Sequence, residues 1–225
     1  MPTDRKIVML LNRRNWTRLV ATAWGLTLNL NLPLARAAEE APDEMIRRLS
    51  VDVLSTIKAD KDVQSGDVRK VITFVDSMIM PKVNFSRMTA SAIGRSWRQA
   101  TPEQQKRLQD EFKNLLVRTY AGALSQLQDQ TISVKPLRAQ AGDTEVIVRT
   151  EILGRGDPIQ LDYRMEKTAG VWKIYDLNVL GVWLVETYRT QFAQEISARG
   201  MDGLIATLAL RNKNGAMTSA GPKKN

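Results

Sequence analysis

Apolar residues recur every three to four positions from 41 to 127, every second position from 131 to 180, and every three to four again from 184 to 210. Met45, Ile46, Leu49, Val53 and Ile57 form one stripe and predict a helix over 41–57. A polar connection over 60–66 separates it from a second amphipathic helix carrying Val68, Val71, Ile72, Val75 and Ile79, which Pro81 ends. Residues 84–97 predict a shorter helical stretch, interrupted near Gly94. Thr101-Pro102-Glu103-Gln104 then combines a Thr cap, a Pro in the first turn and a Gln placed to close a capping box. Behind it Leu108, Phe112, Leu115, Leu116, Tyr120, Leu124 and Leu127 follow on one face.

From Thr131 the period is two. Ile132 and Val134 begin a strand that Pro136 ends; Val146, Val148, Thr150 and Ile152 alternate with charged neighbours; Ile159, Leu161, Tyr163 and Met165 do the same after a Gly-Pro turn. Thr168-Ala169-Gly170 turns the chain into Val171-Trp172-Lys173-Ile174-Tyr175-Asp176-Leu177-Asn178-Val179-Leu180. Short connections predict an antiparallel meander. The fold class is therefore α+β, with helices packed on one face of a roughly four-stranded antiparallel meander sheet.

After Gly181 a helix is expected to open with Val182-Trp183-Leu184-Val185 and to stop at Gly200; a second, Leu204 to Leu210, follows. The order and identity of these residues resemble the MlaC family of periplasmic phospholipid-binding proteins, also known as toluene-tolerance auxiliary components. The resemblance is carried by Trp172-Lys173-Ile174-Tyr175-Asp176, Gly181-Val182, Leu184-Val185, Tyr188-Arg189, Phe192, Gly200 and Leu204-Ile205. Upstream, Phe85, Met88, Gly94, Trp97 and Thr101-Pro102-Glu103-Gln104-Gln105 fit the same family, so it spans roughly residues 42–210. The sequence departs at Trp183, where a small Ser is expected, and at Leu180, where an acidic residue is common.

Charge changes the picture once it is localised. The chain carries a net charge of +9. Residues 1–37 hold six basic and one acidic residue, and 211–225 hold four basic and none acidic, which leaves 23 of each sign between them. A neutral body lacks the basic excess on its folded surface that nucleic-acid phosphates require. The basic run from Lys82 to Arg118 reads as a solvated helical face. Residues 1–37 read as an export signal: a basic leader with Arg13-Arg14, a modestly apolar middle over 19–34, and Ala35-Arg36-Ala37 before the cleavage point. General and twin-Arg export both stay open, and Met9 is an alternative start. The organisation expected is a signal peptide over 1–37, one lipid-binding domain over 38–210 and a disordered basic tail over 211–225, in a periplasmic monomer.

The chain has no His and no Cys, which excludes thiolate chemistry, disulfides and His-based acid–base catalysis. Ser55-Thr56-Ile57-Lys58 has the Ser-x-x-Lys spacing of penicillin-recognising enzymes, yet no Ser-Asp-Asn accompanies it and Lys167-Thr168-Ala169-Gly170 only imitates the third element. A calcium loop starting at Asp60 fails, because Gly66 is one residue late and Val71 stands where a Glu is needed. No catalytic residue, metal site or cofactor is expected, and the chain is read as no enzyme.

The periodicity is compatible with a solid core or with an apolar pocket. A pocket is what the resemblance implies. Its lining would be Leu115, Leu116, Val148, Ile152, Leu161, Tyr163, Ile174, Leu184, Val185, Tyr188 and Phe192, with Arg189 at the rim as a head-group candidate. The ligand implied is a phospholipid, or a hopanoid in the family's hopanoid-associated branch. The partners implied are an inner-membrane ABC transporter complex with a substrate-binding-domain subunit, and an outer-membrane lipoprotein complex. A protein-only adaptor and a cone-shaped α+β hydrolase or isomerase are the rival readings. Export carries its own check: N-terminal sequencing of protein recovered from cells should begin at Ala38 or within a few residues, whereas a product retaining Arg13-Arg14 contradicts it.

Overall fold

Short polar side chains and prolines start the first five α-helices among the described residues. The structure is a computed structural model that describes residues 40–214 except 128, 141 and 155. The leader expected over 1–37 and most of the expected tail lie outside the described residues. Pro42 opens α1 (Pro42–Ala59), where a missing N–H costs nothing. The Asp60 carboxylate accepts the N–H groups of Asp62 and Val63 and so caps α2 (Lys61–Gln64), a single turn inside what the sequence presents as a polar connection. Asp67 caps α3 (Val68–Phe74), and Asn84 caps α4 (Phe85–Ile93). Thr101 and Gln104 form the expected capping box at the head of α5 (Pro102–Ser125).

The helix expected to run from Val68 to Pro81 is not continuous. After α3 the chain widens into a π-helical turn, Val75–Ile79, then tightens into a 3-10 turn, Met80–Lys82. Pro81 has no N–H to give to a carbonyl one turn back, so regular spacing cannot persist up to it. Gly94, at φ 69, ends α4, and a 3-10 turn over Gly94–Gln99 carries the chain to α5.

Among the described residues the sheet has five strands rather than four: β1 (Thr131–Val134), β2 (Glu145–Leu153), β3 (Ile159–Thr168), β4 (Val171–Val179) and β5 (Val182–Trp183). They lie in chain order, each antiparallel to the next. Val182 and Trp183, expected as the first helical residues, instead pair with Val179 and Asn178. The helix α6 starts only at Leu184 and runs to Lys213. Gly200, at φ 69 and ψ −174, breaks α6 where a stop is expected. The helical turn beyond Leu210 reaches into the segment read as a tail, because Asn212 is buried and donates to the carbonyl of Glu111 at 2.9 Å and to its carboxylate at 2.7 Å.

A bulge in β4 decides which side chains face which way. Met165 pairs with Ile174 but Arg164 pairs with Asp176, so Tyr175 is the extra residue. Trp172 and Ile174 therefore face inward with Met165. Beyond the bulge Leu177 and Val179 face inward, and Asp176 and Asn178 face outward beside Arg164 and Asp162. Unbroken alternation would have put both polar residues in the core.

Two solid apolar clusters hold these layers. The first joins Ile46, Ile57, Val63 and Val71 from α1–α3 to Val148, Tyr163, Met165 and Ile174 on the sheet. The second joins α4, α5 and α6 around Phe112, whose ring lies 4.9 Å from Tyr188, 5.2 Å from Phe192 and 5.7 Å from Phe85. The two aromatic contacts with α6 are edge-on, a favoured geometry.

The β4–β5 turn places Leu180 at φ 53 and Gly181 at φ 88, the pair of positive φ values that a two-residue hairpin loop demands. Leucine pays for that conformation, and its side chain is 54 % exposed, so packing returns little. Leu180→Asn is expected to stabilise the fold by about 1 kcal/mol, or a rise of about 2–4 °C in Tm by calorimetry. A lower Tm would mean that Leu180 contributes packing that its exposure conceals.

Candidate functional site

The inner side of the sheet is covered unevenly. Helix α1 packs on β1 and β2, while α4 and α6 pack on β4; α5 makes its main contacts with α2, α3, α4 and α6. Leu108 and Phe112 at the start of α5 are fully buried, whereas Leu116, Tyr120 and Leu124 further along are only half-buried. Val117 and Ala121, between them in sequence, are buried at 6 % and 4 %. Leu116 and Tyr120 pack against the second cluster and Leu124 against the first, each with part of its surface left uncovered.

The opposing surface has the same character. On the inward face of the sheet Val134, Leu161, Leu177 and Val179 are half-buried. So are Ile72, Met78, Ile79 and Met80 on α3 and the irregular turns after it. Met80, Val83 and Leu177 pack against both clusters and mark the seam between them. These half-buried residues on α5, the π-helical and 3-10 turns and one end of the sheet mark out a candidate apolar cleft along the seam of the two clusters. Lys113 ties its roof to its wall by a 2.7 Å bond to Asp76 in the π-helical turn.

Few polar groups reach this region. Burial, with a smaller contribution from Tyr188, pushes the Tyr120 phenol up to about 12, so it is a neutral hydroxyl at physiological pH. Tyr188 is also raised by burial, opposed by Thr119 and by the charge of Arg211. Burial raises Tyr163 as well, against a hydrogen bond from Thr150. With their pKa values raised, these phenols are neutral hydroxyls at physiological pH. The Ser55 hydroxyl is exposed on α1 and donates to the Asp52 carbonyl at 2.9 Å.

The junction of sheet and helix fixes the cleft's far wall. Asp176, 1 % exposed, accepts the N–H groups of Leu177 at 2.9 Å and Val185 at 3.1 Å and an Arg164 Nη1–H at 3.0 Å. Its carboxylate thereby supplies the cap that Trp183 cannot give to α6. Burial raises its pKa, and the two backbone donors and Arg164 oppose that rise.

The expected lining residues divide between the two clusters. Val148, Tyr163 and Ile174 are buried in the first, with half-buried Leu161 against it. Leu184, Val185, Tyr188 and Phe192 are buried in the second, with half-buried Leu115 and Leu116 against it. Ile152 is buried at 7 % outside both. Of the apolar residues in that set, Leu115, Leu116 and Leu161 are half-buried and the others are buried. Arg189 is exposed, and its Nε donates to the Ser91 carbonyl at 2.9 Å; the arginine that meets Asp176 is Arg164.

Sequence reasoning did not assign Tyr120, Leu124, Leu177 or the run Met78-Ile79-Met80 to the site. The run carried a usable signal, since adjacent flexible apolar side chains ahead of a proline suit an adaptable wall better than a helix interior. Leu177 carried none, because only the bulge turns it inward.

Comparison with known proteins gives this geometry a context. The chain is 26% identical over 178 residues to a toluene tolerance protein of Pseudomonas putida, covering 79% of this chain and 83% of the relative. It is 23% identical over 175 residues to the intermembrane phospholipid transport system binding protein MlaC of Haemophilus influenzae, covering 76% and 82%. The structure superimposes with a TM-score of 0.76 and 48% identity on the phospholipid-binding protein from Ralstonia solanacearum, solved in complex with a phospholipid, over 79% of this chain and 99% of that one. Residues 47–210 match the family described as MlaC protein, most of the length of the chain, and the chain belongs to that family.

Proposed function

We propose that this chain is a periplasmic lipid carrier whose cleft takes phospholipid acyl chains, and that it is no enzyme. The observation that supports this most is the half-buried stripe of α5 facing half-buried residues on the sheet. A closed core would have covered both. A diacyl lipid carries roughly thirty methylenes, each worth about 0.8 kcal/mol out of water, so about 24 kcal/mol opposes its free passage through an aqueous space. A carrier must replace that burial with apolar side chains while the polar head stays wet. The cleft offers such side chains, with Met78 and Met80 able to follow tails of different shape. The names of the relatives and the phospholipid in the Ralstonia solanacearum complex point to the same ligand class.

On this reading the protein shuttles lipid between an outer-membrane lipoprotein complex and an inner-membrane ABC transporter complex bearing a substrate-binding-domain subunit, as a monomer after loss of residues 1–37. Arg189 remains the head-group candidate. Its Nε is engaged by Ser91, so a phosphate would meet the paired Nη groups.

Mass spectrometry of lipid extracted from the purified protein is expected to return phospholipid in stoichiometric amount; a polycyclic lipid would assign the chain to the hopanoid-associated branch, and no lipid would favour a protein-only adaptor. Two variants separate cleft from core. Leu161→Trp is expected to displace lipid with little change in Tm, because it grows into the cleft. Val148→Trp, at a position 1 % exposed, is expected to destabilise by about 1–3 kcal/mol. The reading fails if Leu161→Trp unfolds the protein while lipid is retained. Arg189→Gln is expected to weaken retention of anionic phospholipid with no change in Tm; a lower Tm with unchanged lipid would assign Arg189 to holding α6 on α4.

A further inference from the structure

A second concavity lies on the outer face of the sheet, with the sheet between it and the cleft. It encloses about 810 Å³ and is lined by Lys135, Arg138, Glu145, Arg149, Arg164 and Tyr175, among others. Strand register places the sheet residues among these on one side: Arg149 stands opposite Asp162, and Arg164 opposite Asp176. The bulge in β4 adds Tyr175 to the same region.

Apart from one oxygen of Asp162, the carboxylates around this groove are already committed. Glu145 accepts from Arg87 Nη2 at 2.6 Å and from the Tyr175 hydroxyl at 3.1 Å, and the Arg87 bond holds its pKa below the usual range. Glu166 is bound by the other arm of Arg87 and by Asn84. Glu151 pairs with Lys135 at 2.5 Å, and Asp176 with Arg164. Asp162 is 4 % exposed, with Oδ2 accepting from Gln160 at 2.7 Å and Oδ1 buried without a partner. Arg138 and Arg149 are the groove cations with no ion pair among the described residues.

Two further guanidinium groups sit over aromatic rings. Arg87 lies 3.6 Å from the centroid of Tyr175, and Arg164 lies 3.8 Å from that of Trp183. Ring contact and ion pairing restrain both groups before any ligand arrives, which lowers the ordering cost of binding. Arginine, tyrosine and tryptophan are also the side chains that dominate binding energy at protein interfaces. The groove is recessed, so a flat bilayer would meet its rim, whereas an extended chain segment can enter it.

We propose that the outer-face groove docks an acidic, extended segment of a partner protein, with carboxylates of that segment received by Arg138 and Arg149 beside Arg164. The sheet separates this contact from the cleft, so docking leaves the apolar cleft accessible. The inference does not depend on what fills the cleft.

Fluorescence anisotropy of a fluorescein-labelled octaglutamate peptide, titrated with purified protein at low and moderate salt, tests it. The double reversal Arg138→Glu/Arg149→Glu is compared with Lys58→Glu/Arg98→Glu, which changes net charge equally at exposed sites elsewhere. The groove reversal is expected to weaken binding by about tenfold or more, the control by less than about twofold. Equal loss in both overturns the proposal, since net charge alone would then explain binding. Vesicles of phosphatidylglycerol form the second arm: wild-type binding to vesicles that the groove reversal abolishes, with peptide binding untouched, would make the groove a membrane contact and also overturn it. If the reversal disturbs folding by circular dichroism, Arg138→Gln/Arg149→Gln is expected to give the same order with a few-fold effect. Retention of lipid should be equal in all these variants, so failure here is distinct from failure of the carrier reading.

Discussion

The carboxylate of Asp176 joins the sheet to α6, and the geometry on both faces of the sheet follows from it. A helix beginning at Leu184 straight after a strand has orphan N–H groups and no capping side chain of its own. Asp176 reaches them from the neighbouring strand, and its charge suits the positive end of the helix. Burying a carboxylate this far costs several kcal/mol unless it is paired, and Arg164 supplies the pair. Arg164 in turn must be held in place, which the Trp183 ring does from β5. The short fifth strand is thus part of the mount of α6.

The bulge at Tyr175 makes this arrangement possible. One extra residue sends Ile174 inward and Asp176 outward although both have even numbers, and it aims Tyr175 at Arg87. The sheet can then serve apolar side chains on one surface and a guanidinium-rich groove on the other. Sequence alternation cannot reveal this, because every position from Trp172 to Asn178 on the even side is buried, two by the core and two by the Arg164–Trp183 cover.

Much of the fold was legible because local signals and tertiary packing agree. The capping box at Thr101, the stop at Gly94, the break at Gly200 and the period-two strands are chemistry within a few residues of one another. The family was legible through the order of residues from Trp172 to Ile205. What escaped depended on distant partners. Val182 and Trp183 adjoin the helical run that begins at Leu184, and pairing with β4 makes them a strand, as their own propensity favours. The site suffered similarly. Phe192 and Leu161 are equally apolar in one dimension, yet Phe192 is 2 % exposed among aromatic rings while Leu161 stands half-open at the cleft. Periodicity tells which face is apolar; how completely that face is covered depends on where α5 comes to rest.

A cleft of this kind constrains where stability can reside. Half-buried leucines on α5 and the sheet forfeit part of the roughly 1.5–3 kcal/mol that full burial of each would contribute. The loss is offset outside the cleft, by two clusters that each pack without it. The Phe112 cluster fixes α5 against α4 and α6, and the Ile46–Met165 cluster fixes α1–α3 against the sheet. Met80, Val83 and Leu177 are shared by both, and two of those three lie in or beside the turns that interrupt regular helix after α3. The irregular geometry therefore sits where the two clusters meet. A wall placed there presents the flexible side chains of Met78 and Met80 between two buried clusters. For the proposed carrier that is the useful division: rigid bodies that survive loading, and a seam that absorbs the shape of the load.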